Sequence, residues 1–417
     1  MDVLSVVQLV FTVLSFLFVL SYYVLLFVPR QASRREHHFS SVSFIVPVHN
    51  EEAYIAQAIA SIKAASFHGT KQIIVIDDGS SDGSFSLLRK MEGIILLQTA
   101  HLGKAAALNK GLSVATGEVI AIVDGDSYVR PDALHHLVRV LEEKNVAAAC
   151  CPVRVRNRKG LFTMWLHLSE IYYSLLRSLF AKLNANITTP GPLSVYRRDV
   201  LVALGGFSEE GFAEDADIAV RLIRRGYRVG FSEQAIAETN MPHTLRWIWW
   251  QRTRFARGLV NLLRRHMRFG KGFVDVYVFP LMLFGYLQGL IMGLITVYQM
   301  ISGYLVYFYG QGVVFSIDVA LFFFNWLSLF GFFSWALDVA VGSAPLTILS
   351  GIAIVSSLLT YPLYILAFLR YDKKIDLWHV LPFLFLTPFW LFLMAAQFAS
   401  LQDYFHSRQR NIWKKNE

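Results

Sequence analysis

The sequence predicts an α/β domain with a doubly wound, mostly parallel sheet, inserted between α-helical membrane segments. Three observations lead there. Between residues 42 and 124, short aliphatic runs alternate with helix-patterned stretches. Hydrophobic residues make up 55% of the 417, and the excess lies mainly in residues 1–28 and 273–401 rather than evenly along the chain. Basic residues gather beside those apolar stretches, which fits juxtamembrane anchoring better than nucleic-acid binding at a net charge of +9.

Residues 3–28 hold no charge. That run is longer than a signal-peptide core and has no small-residue cleavage site before Pro29, so a retained transmembrane helix over 1–29 is expected. Arg30, Arg34 and Arg35 follow it and predict that the chain continues in the cytoplasm. A globular domain is expected over 40–240. Its strands are read at Val42–Val48, Gln72–Asp77, Ile94–Leu97 and Val119–Asp124, with helices near 51–65, 82–91 and 103–115. Strands apolar throughout, alternating with helices, argue for a buried parallel sheet. No GxGxxG follows a strand and no GxxxxGK[ST] occurs, which disfavours dinucleotide-binding and P-loop domains. A further helix is read around Leu161–Leu183.

Residues 241–272 read as a basic, aromatic-rich interfacial segment, with a helix over 243–268. Leu245, Ile248, Trp249, Phe255, Leu259 and Leu262 recur at helical spacing, and Arg246, Arg252, Arg257 and Arg264 lie off that stripe. The bundle over 273–401 is expected to hold spans at 280–308, 317–341, 346–369 and 380–400. With the first helix this gives five crossings and an inside C-terminus, where the basic tail 402–417 carries Arg408, Arg410, Lys414 and Lys415. One loop conflicts: Arg370–Lys374 would face outward with three positive charges, unless one apolar segment is re-entrant. Cys150 and Cys151 are the only cysteines and are adjacent, so neither a disulfide framework nor zinc spacing exists, and a reducing compartment is expected.

Ligands of doubly wound sheets bind at the carboxyl ends of the strands. Acidic clusters fall at those ends: Val46-Pro47-Val48-His49-Asn50-Glu51-Glu52, then Ile76-Asp77-Asp78-Gly79-Ser80-Ser81-Asp82-Gly83, then Asp124-Gly125-Asp126. Helix capping by Asn50 or Ser81 accounts for one polar residue per helix, not for paired aspartates after two strands. An Asp-x-Asp pair suits a hard divalent cation, Mg2+ or Mn2+, which would offset the charge of a leaving diphosphate.

In order and spacing these clusters resemble the family 2 glycosyltransferases of GT-A fold. His101-Leu102-Gly103-Lys104-Ala105-Ala106-Ala107-Leu108-Asn109 is similar to that family's Gly-Lys-x-x-x-Leu-Asn segment. Gly191-Pro192-Leu193-Ser194 is similar to the acceptor segment of its processive members, the hyaluronan, chitin, poly-N-acetylglucosamine and cellulose synthases. Ala213-Glu214-Asp215 stands where those have Thr-Glu-Asp, and Gln251-Arg252-Thr253-Arg254-Phe255 where they have Gln-x-x-Arg-Trp.

The resemblance implies donor contacts from Pro47, His49, Glu51, Asp77, Asp78, Lys104, Asp124, Gln251 and Arg254. It implies a metal on Asp126 and Asp124, and acceptor contacts from Gly191, Pro192 and Phe255. Asp215, beside Glu214, is the expected general base, and one base opposite a leaving diphosphate gives inversion. A carboxylate can accept a uracil ring N–H, so a UDP-sugar is the expected donor. Phe255 keeps an aromatic face for a sugar but lacks the indole N–H donor.

Three functions follow: a processive β-glycan synthase that passes its product through its own bundle, a transferase moving one sugar to a lipid-linked acceptor, or a transporter or scaffold with an inactive domain. The expected partners are a nucleotide sugar, a glycan or lipid-linked acceptor and the bilayer, with an accessory membrane subunit left open. The expected location is the plasma membrane, with the catalytic domain and C-terminus cytosolic.

Overall fold

The computed structural model describes residues 3–30, 33–372 and 377–401. The tail 402–417 and the expected loop charges Lys373 and Lys374 lie outside them. The chain begins with α1 (Val3–Phe27). It continues through β1 (Ser41–Val48), α2 (Ile55–Ala64), β2 (Thr70–Asp77), α3 (Ser84–Leu88), β3 (Ile95–Gln98), α4 (Lys104–Val114) and β4 (Val119–Ile122). Next come β5 (Ser127–Val129), α5 (Ala133–Leu141), β6 (Val146–Cys150), β7 (Val153–Val155), α6 (Leu161–Ala181), β8 (Ser194–Arg197) and α7 (Arg198–Ala203). They are followed by α8 (Glu214–Arg224), β9 (Arg228–Phe231), β10 (Ala237–Thr239) and α9 (Leu245–His266). The bundle comprises α10 (Phe279–Tyr307), α11 (Ile317–Leu327), α12 (Leu329–Ala340), α13 (Ile348–Tyr371), α14 (Leu377–Leu384) and α15 (Leu386–Ser400).

Seven strands form a sheet in the order β3-β2-β1-β4-β8-β6-β9. The first four pair parallel, and β8 runs antiparallel between β4 and β6. Sequence order reverses between β1 and β4, which opens a crevice at their carboxyl ends. A three-stranded sheet, β5-β10-β7, flanks it. Both faces of the large sheet are buried because both faces of β1 are apolar. Phe44, Val46 and Val48 pack with Ile55 and Ile59 of α2 and Leu137 of α5. Ile45 packs with Ile74, Ile76 and Leu108 on the other side, where α4 comes close because residue 111 is glycine: a Cβ there would lie 2.5 Å from Ile45. Truncating the fully buried Ile45 to Ala should cost about 2–5 kcal/mol.

Among the described residues three helices are long and apolar enough to cross a membrane: α1, the helix continuous with α10, and α13. The straight span expected over 317–341 is instead the pair α11 and α12, bent by 92°. The bend falls at Ser328, whose backbone is extended, and Gly331 permits it, since a Cβ there would lie 1.9 Å from the Asn325 carbonyl oxygen. The span expected over 380–400 is also broken, into α14 and α15 at Phe385.

These breaks resolve the charge conflict in the loop after α13. The Arg370 guanidinium donates twice to Glu233, between β9 and β10, and Arg158 Nη1 lies 2.7 Å from Asp372 Oδ2. The end of α13 is therefore on the catalytic-domain side. At the end of α1, Lys182 Nζ donates to the carbonyls of Leu25 and Leu26 at 2.9 and 3.0 Å, a cation on a helix C-terminus. So α1 and α13 end on one side, α10 starts there, and the bent pair lies at the far end.

In sealed vesicles a membrane-impermeant maleimide should reach cysteines at Glu209 and Arg370 from one side and a cysteine at Ser343 from the other. Labelling of Ser343→Cys from the same side as Glu209→Cys, with Arg370→Cys reached from the other, would restore the five-crossing arrangement.

Candidate active site

The loops after β1 and β2 are knitted into one wall. Asn50 sits at φ 54° and its Oδ1 accepts from the backbone N–H of Ser81 at 2.8 Å and of Asp82 at 3.3 Å. Asn50 therefore joins two loops rather than capping α2. Asp78, fully buried, accepts from Thr99 Oγ1 at 2.7 Å, Leu102 N at 2.8 Å and Gly103 N at 2.8 Å. Its carboxylate shapes the turn into α4. Asp77 accepts from Ser80 N at 3.3 Å through Oδ2, while its buried Oδ1 has no donor. The rings of His49 and His101 lie 4.2 Å apart, both with Nδ1 on the Asp78 carbonyl oxygen at 2.9 and 3.2 Å. A carbonyl only accepts, so both rings carry their proton on Nδ1. Pro47 and Glu51 are buried in the same wall, with Glu51 beneath Gly125.

Charge concentrates where α4 begins. Lys104 Nζ lies 2.6 Å from Asp124 Oδ1 and 3.5 Å from Glu214 Oε1, the first residue of α8. Burial opposes the ammonium, but the two carboxylates outweigh it and hold the Lys104 pKa above its ordinary value. Residue 191 must be glycine: a Cβ would lie 2.3 Å from Asp124 Oδ2 and 2.5 Å from Lys104 Nζ. Its carbonyl accepts from Asp124 N at 3.0 Å, and Pro192 follows, half-buried. Asp126 Oδ1 accepts from Ser127 Oγ and Thr239 Oγ1, each at 3.3 Å, which aims that carboxylate from the small sheet. Carboxylate oxygens such as those of Asp124 and Asp126 are the donor type that suits a hard divalent cation.

Asp215 stands next to Glu214. Burial first, then the Glu214 charge, push Asp215 up to about 6, although Lys104 pulls it down. Its Oδ1 accepts from Ala216 N at 2.9 Å. The first turn of α8 is not a capping cluster, because the residue before it is Ala213, which makes no side-chain cap. Asp217 instead accepts from Arg221 Nε at 2.7 Å and His266 Nε2 at 2.8 Å, fastening α8 to the end of α9.

Residues 43–205 match the model of glycosyl transferase family 2. They are a family 2 glycosyltransferase domain. The chain is 31% identical over 233 residues to a probable glycosyltransferase, YdaM of Bacillus subtilis (strain 168), covering 52% of this chain and 54% of that protein. It is 26% identical over 233 residues to poly-beta-1,6-N-acetyl-D-glucosamine synthase of Staphylococcus aureus (strain COL), covering 54% and 56%. The chain thus spans about half the length of the curated relatives it matches. Its fold is similar to that of the mannosyltransferase PcManGT from Pyrobaculum calidifontis, solved with GDP-Man and Mn2+, at TM-score 0.61 and 20% identity over 97% of this chain and 99% of that one. The GT-A architecture expected from the sequence is the one observed.

The glycosyltransferase domain is closed from the membrane side by α9. Gly258 lets that helix approach the loop before α8, since a Cβ would lie 3.1 Å from the Phe212 carbonyl oxygen. Arg254 is close enough to act on Lys104, which places it at the charged end of the crevice. Phe255, 42% exposed, carries Arg254 at 5.6 Å and Arg252 at 5.3 Å from its ring centroid. Gln251 donates to Met241 Sδ at 3.4 Å, and its buried Oε1 has no donor.

Sequence reasoning gave no site role to His101 or Arg252, and read Asn50 only as a helix cap. His101 could have been found as the partner of His49, both being polar residues at strand ends. Arg252 carries no such signal. A second cluster, His167, Asp372 and His379, brings three potential metal ligands within 4.8 Å. Val155 N donates to His167 Nδ1 at 3.2 Å, so that ring is protonated on Nε2, which donates to Asp372 Oδ2 at 3.0 Å. A proton and the Arg158 guanidinium occupy the cation's place, and the cluster reads as a clamp between α6 and the α13–α14 turn.

Gly191→Ala should lower turnover by about a hundredfold or more, since ångström-scale displacement of reacting groups costs that much, with no loss of folding cooperativity. Asp217→Ala should instead lower thermal stability by about 3 kcal/mol, because it strands two cationic partners. Calorimetry and initial rates on the purified protein separate the two outcomes.

Proposed function

We propose that the protein is an inverting hexosyltransferase that uses a UDP-sugar and acts on an acceptor held at the membrane face. The observation that carries this is the contact of Lys104 with both Asp124 and Glu214, which sets cations for a diphosphate beside Asp215, a carboxylate whose pKa is suited to general-base catalysis near neutrality. The buried, donorless Asp77 Oδ1 supports a nucleobase whose ring N–H would complete it, as the uracil N3–H does. Asp78, saturated by the chain itself, is given a supporting role in the donor site.

Asp215 takes the proton from the acceptor hydroxyl as that oxygen attacks the anomeric carbon. The bond to the diphosphate breaks on the opposite face, giving a glycoside of inverted configuration, UDP and a proton. Lys104 and Arg254 balance the charge on the departing diphosphate. A Mg2+ or Mn2+ held by Asp126 and Asp124 would supply further Lewis-acid stabilisation there. Phe255 offers its ring to the acceptor sugar, and Gly191 and Pro192 are proposed as further acceptor contacts.

Extension of a β-linked glycan, with passage through the bundle, is the first reading, supported by similarity to the poly-N-acetylglucosamine synthase. Transfer of one sugar to a lipid-linked acceptor is the second. The two guanidiniums on Phe255 favour it, since they suit an anionic acceptor. Arg30, Arg34 and Arg35, following α1, support a cytosolic catalytic domain.

Purified protein with UDP-sugars and Mn2+ should release UDP. Asp215→Asn and Asp126→Ala should each lower that release by at least about a hundredfold, the scale of general-base and metal contributions, and retained turnover in either would reject the assignment. Product sizing separates polymer from single transfer. The base must be ionised, so kcat should be full above, and fall as pH drops through, about 6, the value burial and Glu214 set for Asp215. A flat kcat profile between pH 5 and 8 would remove Asp215 from the role.

A further inference from the structure

Arg252 is 5% exposed, yet among the described residues neither its Nε nor its Nη2 has a hydrogen-bond partner, and it makes no ion pair within 4.0 Å. It lies over the ring of Phe255. A buried guanidinium with unused donors is costly unless an anion completes it. Glu170 and Tyr173 of α6 act on it electrostatically. Glu170 is the carboxylate on that side and stays outside ion-pair distance.

A second buried cation faces the same place. Arg177, one turn beyond Tyr173 on α6, is 8% exposed; its Nη2 donates to Ser174 Oγ at 2.8 Å and its Nε has no partner. Both guanidiniums act on the Tyr173 hydroxyl, which burial pushes above its ordinary pKa. Tyr173 nevertheless keeps 42% of its surface exposed, so the cluster reaches the protein surface. Its helix α6 packs along α13 and α14, while α9, which carries Arg252, packs along α15.

We propose that Arg252, Arg177 and Tyr173 form an oxyanion site for the phosphate of a lipid-linked sugar acceptor. The site rests on the transferase reading above and deepens it. Phe255 touches both guanidiniums, Arg254, which acts on Lys104 at the donor end, and Arg252 of this site. A sugar held beside Phe255 presents a hydroxyl to Asp215 while the phosphate on its anomeric oxygen reaches Arg252. Guanidinium donors in a planar fork match a phosphate bidentately, and Tyr173 adds a hydroxyl donor. A general base is needed only if the nucleophile is a hydroxyl, which separates this acceptor from a bare lipid phosphate that attacks through its own oxygen.

The test is direct binding by the full chain in phosphatidylcholine nanodiscs, with no nucleotide sugar present. The probes are a polyprenyl diphosphate-linked hexose, a neutral polyprenyl glycoside of the same chain length, and inorganic phosphate. The diphosphate-linked probe should bind at least tenfold more tightly than the neutral one. That excess should vanish in Arg252→Gln and survive in part in Arg252→Lys. Inorganic phosphate should compete with the charged probe and not with the neutral one. Equal binding of the two lipids by the unmodified chain would overturn the site, whether or not the variants fold. Binding of inorganic phosphate without any preference between the lipids would assign the anion to a soluble source and overturn the lipid part. An excess retained in Arg252→Gln would overturn the residue assignment. Absence of UDP release from every UDP-sugar would sink the transferase reading while leaving these isotherms intact. Equal isotherms alongside normal UDP release would sink the phosphate site alone.

Discussion

The active-site half of this molecule is organised around one buried ammonium. Lys104 joins the start of α4 to the end of β4 through Asp124 and to the start of α8 through Glu214. Each of these groups is expensive to bury alone. Together they leave one cation beside two carboxylates; burial first, and then the Glu214 charge, raise Asp215 against the pull of Lys104. The backbone pays attention to the same contact: Gly191 has no room for a side chain because the Lys104–Asp124 pair fills it. The turn carrying Gly191 must then run close to Asp124, and β8 follows it antiparallel into a sheet that is otherwise parallel on the β4 side.

Much of this was legible in the sequence because strand periodicity and acidic strand ends are local signals. The four leading strands fall within two residues of their expected starts. Asp77 and Asp78 were equally conspicuous in sequence, yet the structure separates them. Asp78 spends its carboxylate on Thr99, Leu102 and Gly103, while Asp77 keeps an open acceptor. That difference depends on the path of residues 99–103, which side-chain type does not encode. The broken spans were illegible for a related reason. Hydropathy reports length and polarity, but the 92° bend at Ser328 depends on Gly331 allowing its backbone against Asn325. The charge of the loop after α13 was the one sequence signal of a miscount, and its resolution agrees with the preference of basic residues for a single side.

Arg252 illustrates a different limit. On a helical wheel it belongs with the other arginines off the apolar stripe, and the default for such a residue is a solvated face. Helix packing overrides that default. Gly258 lets α9 approach the loop before α8, and Arg252 on that helix is left 5% exposed. The same four-residue stretch carries Arg254, which acts on Lys104, and Arg252, which Glu170 and Tyr173 of α6 act on, and both guanidiniums touch the exposed ring of Phe255.

A transferase whose acceptor lies at a membrane must hold its catalytic domain at fixed height, because an ångström of error at the base is costly. Three polar contacts do this here, and each joins the catalytic domain to an element beyond it. Asp217 receives His266 from the end of α9, Glu233 receives Arg370 from the end of α13, and Asp372 receives Arg158 and His167. The first fixes the height of Gln251, Arg254 and Phe255 over the crevice. The other two fix α13, and through it α6, on which Tyr173 and Arg177 ride. The Asp217 and Asp372 carboxylates are buried, an arrangement that is worth little for net stability but penalises every alternative docking by an unpaired charge, whereas the Glu233–Arg370 pair is exposed and adds geometry more than energy. The clamps and the Lys104 contact therefore act on different things: one sets the chemistry within the domain, and the others set where that chemistry meets the acceptor.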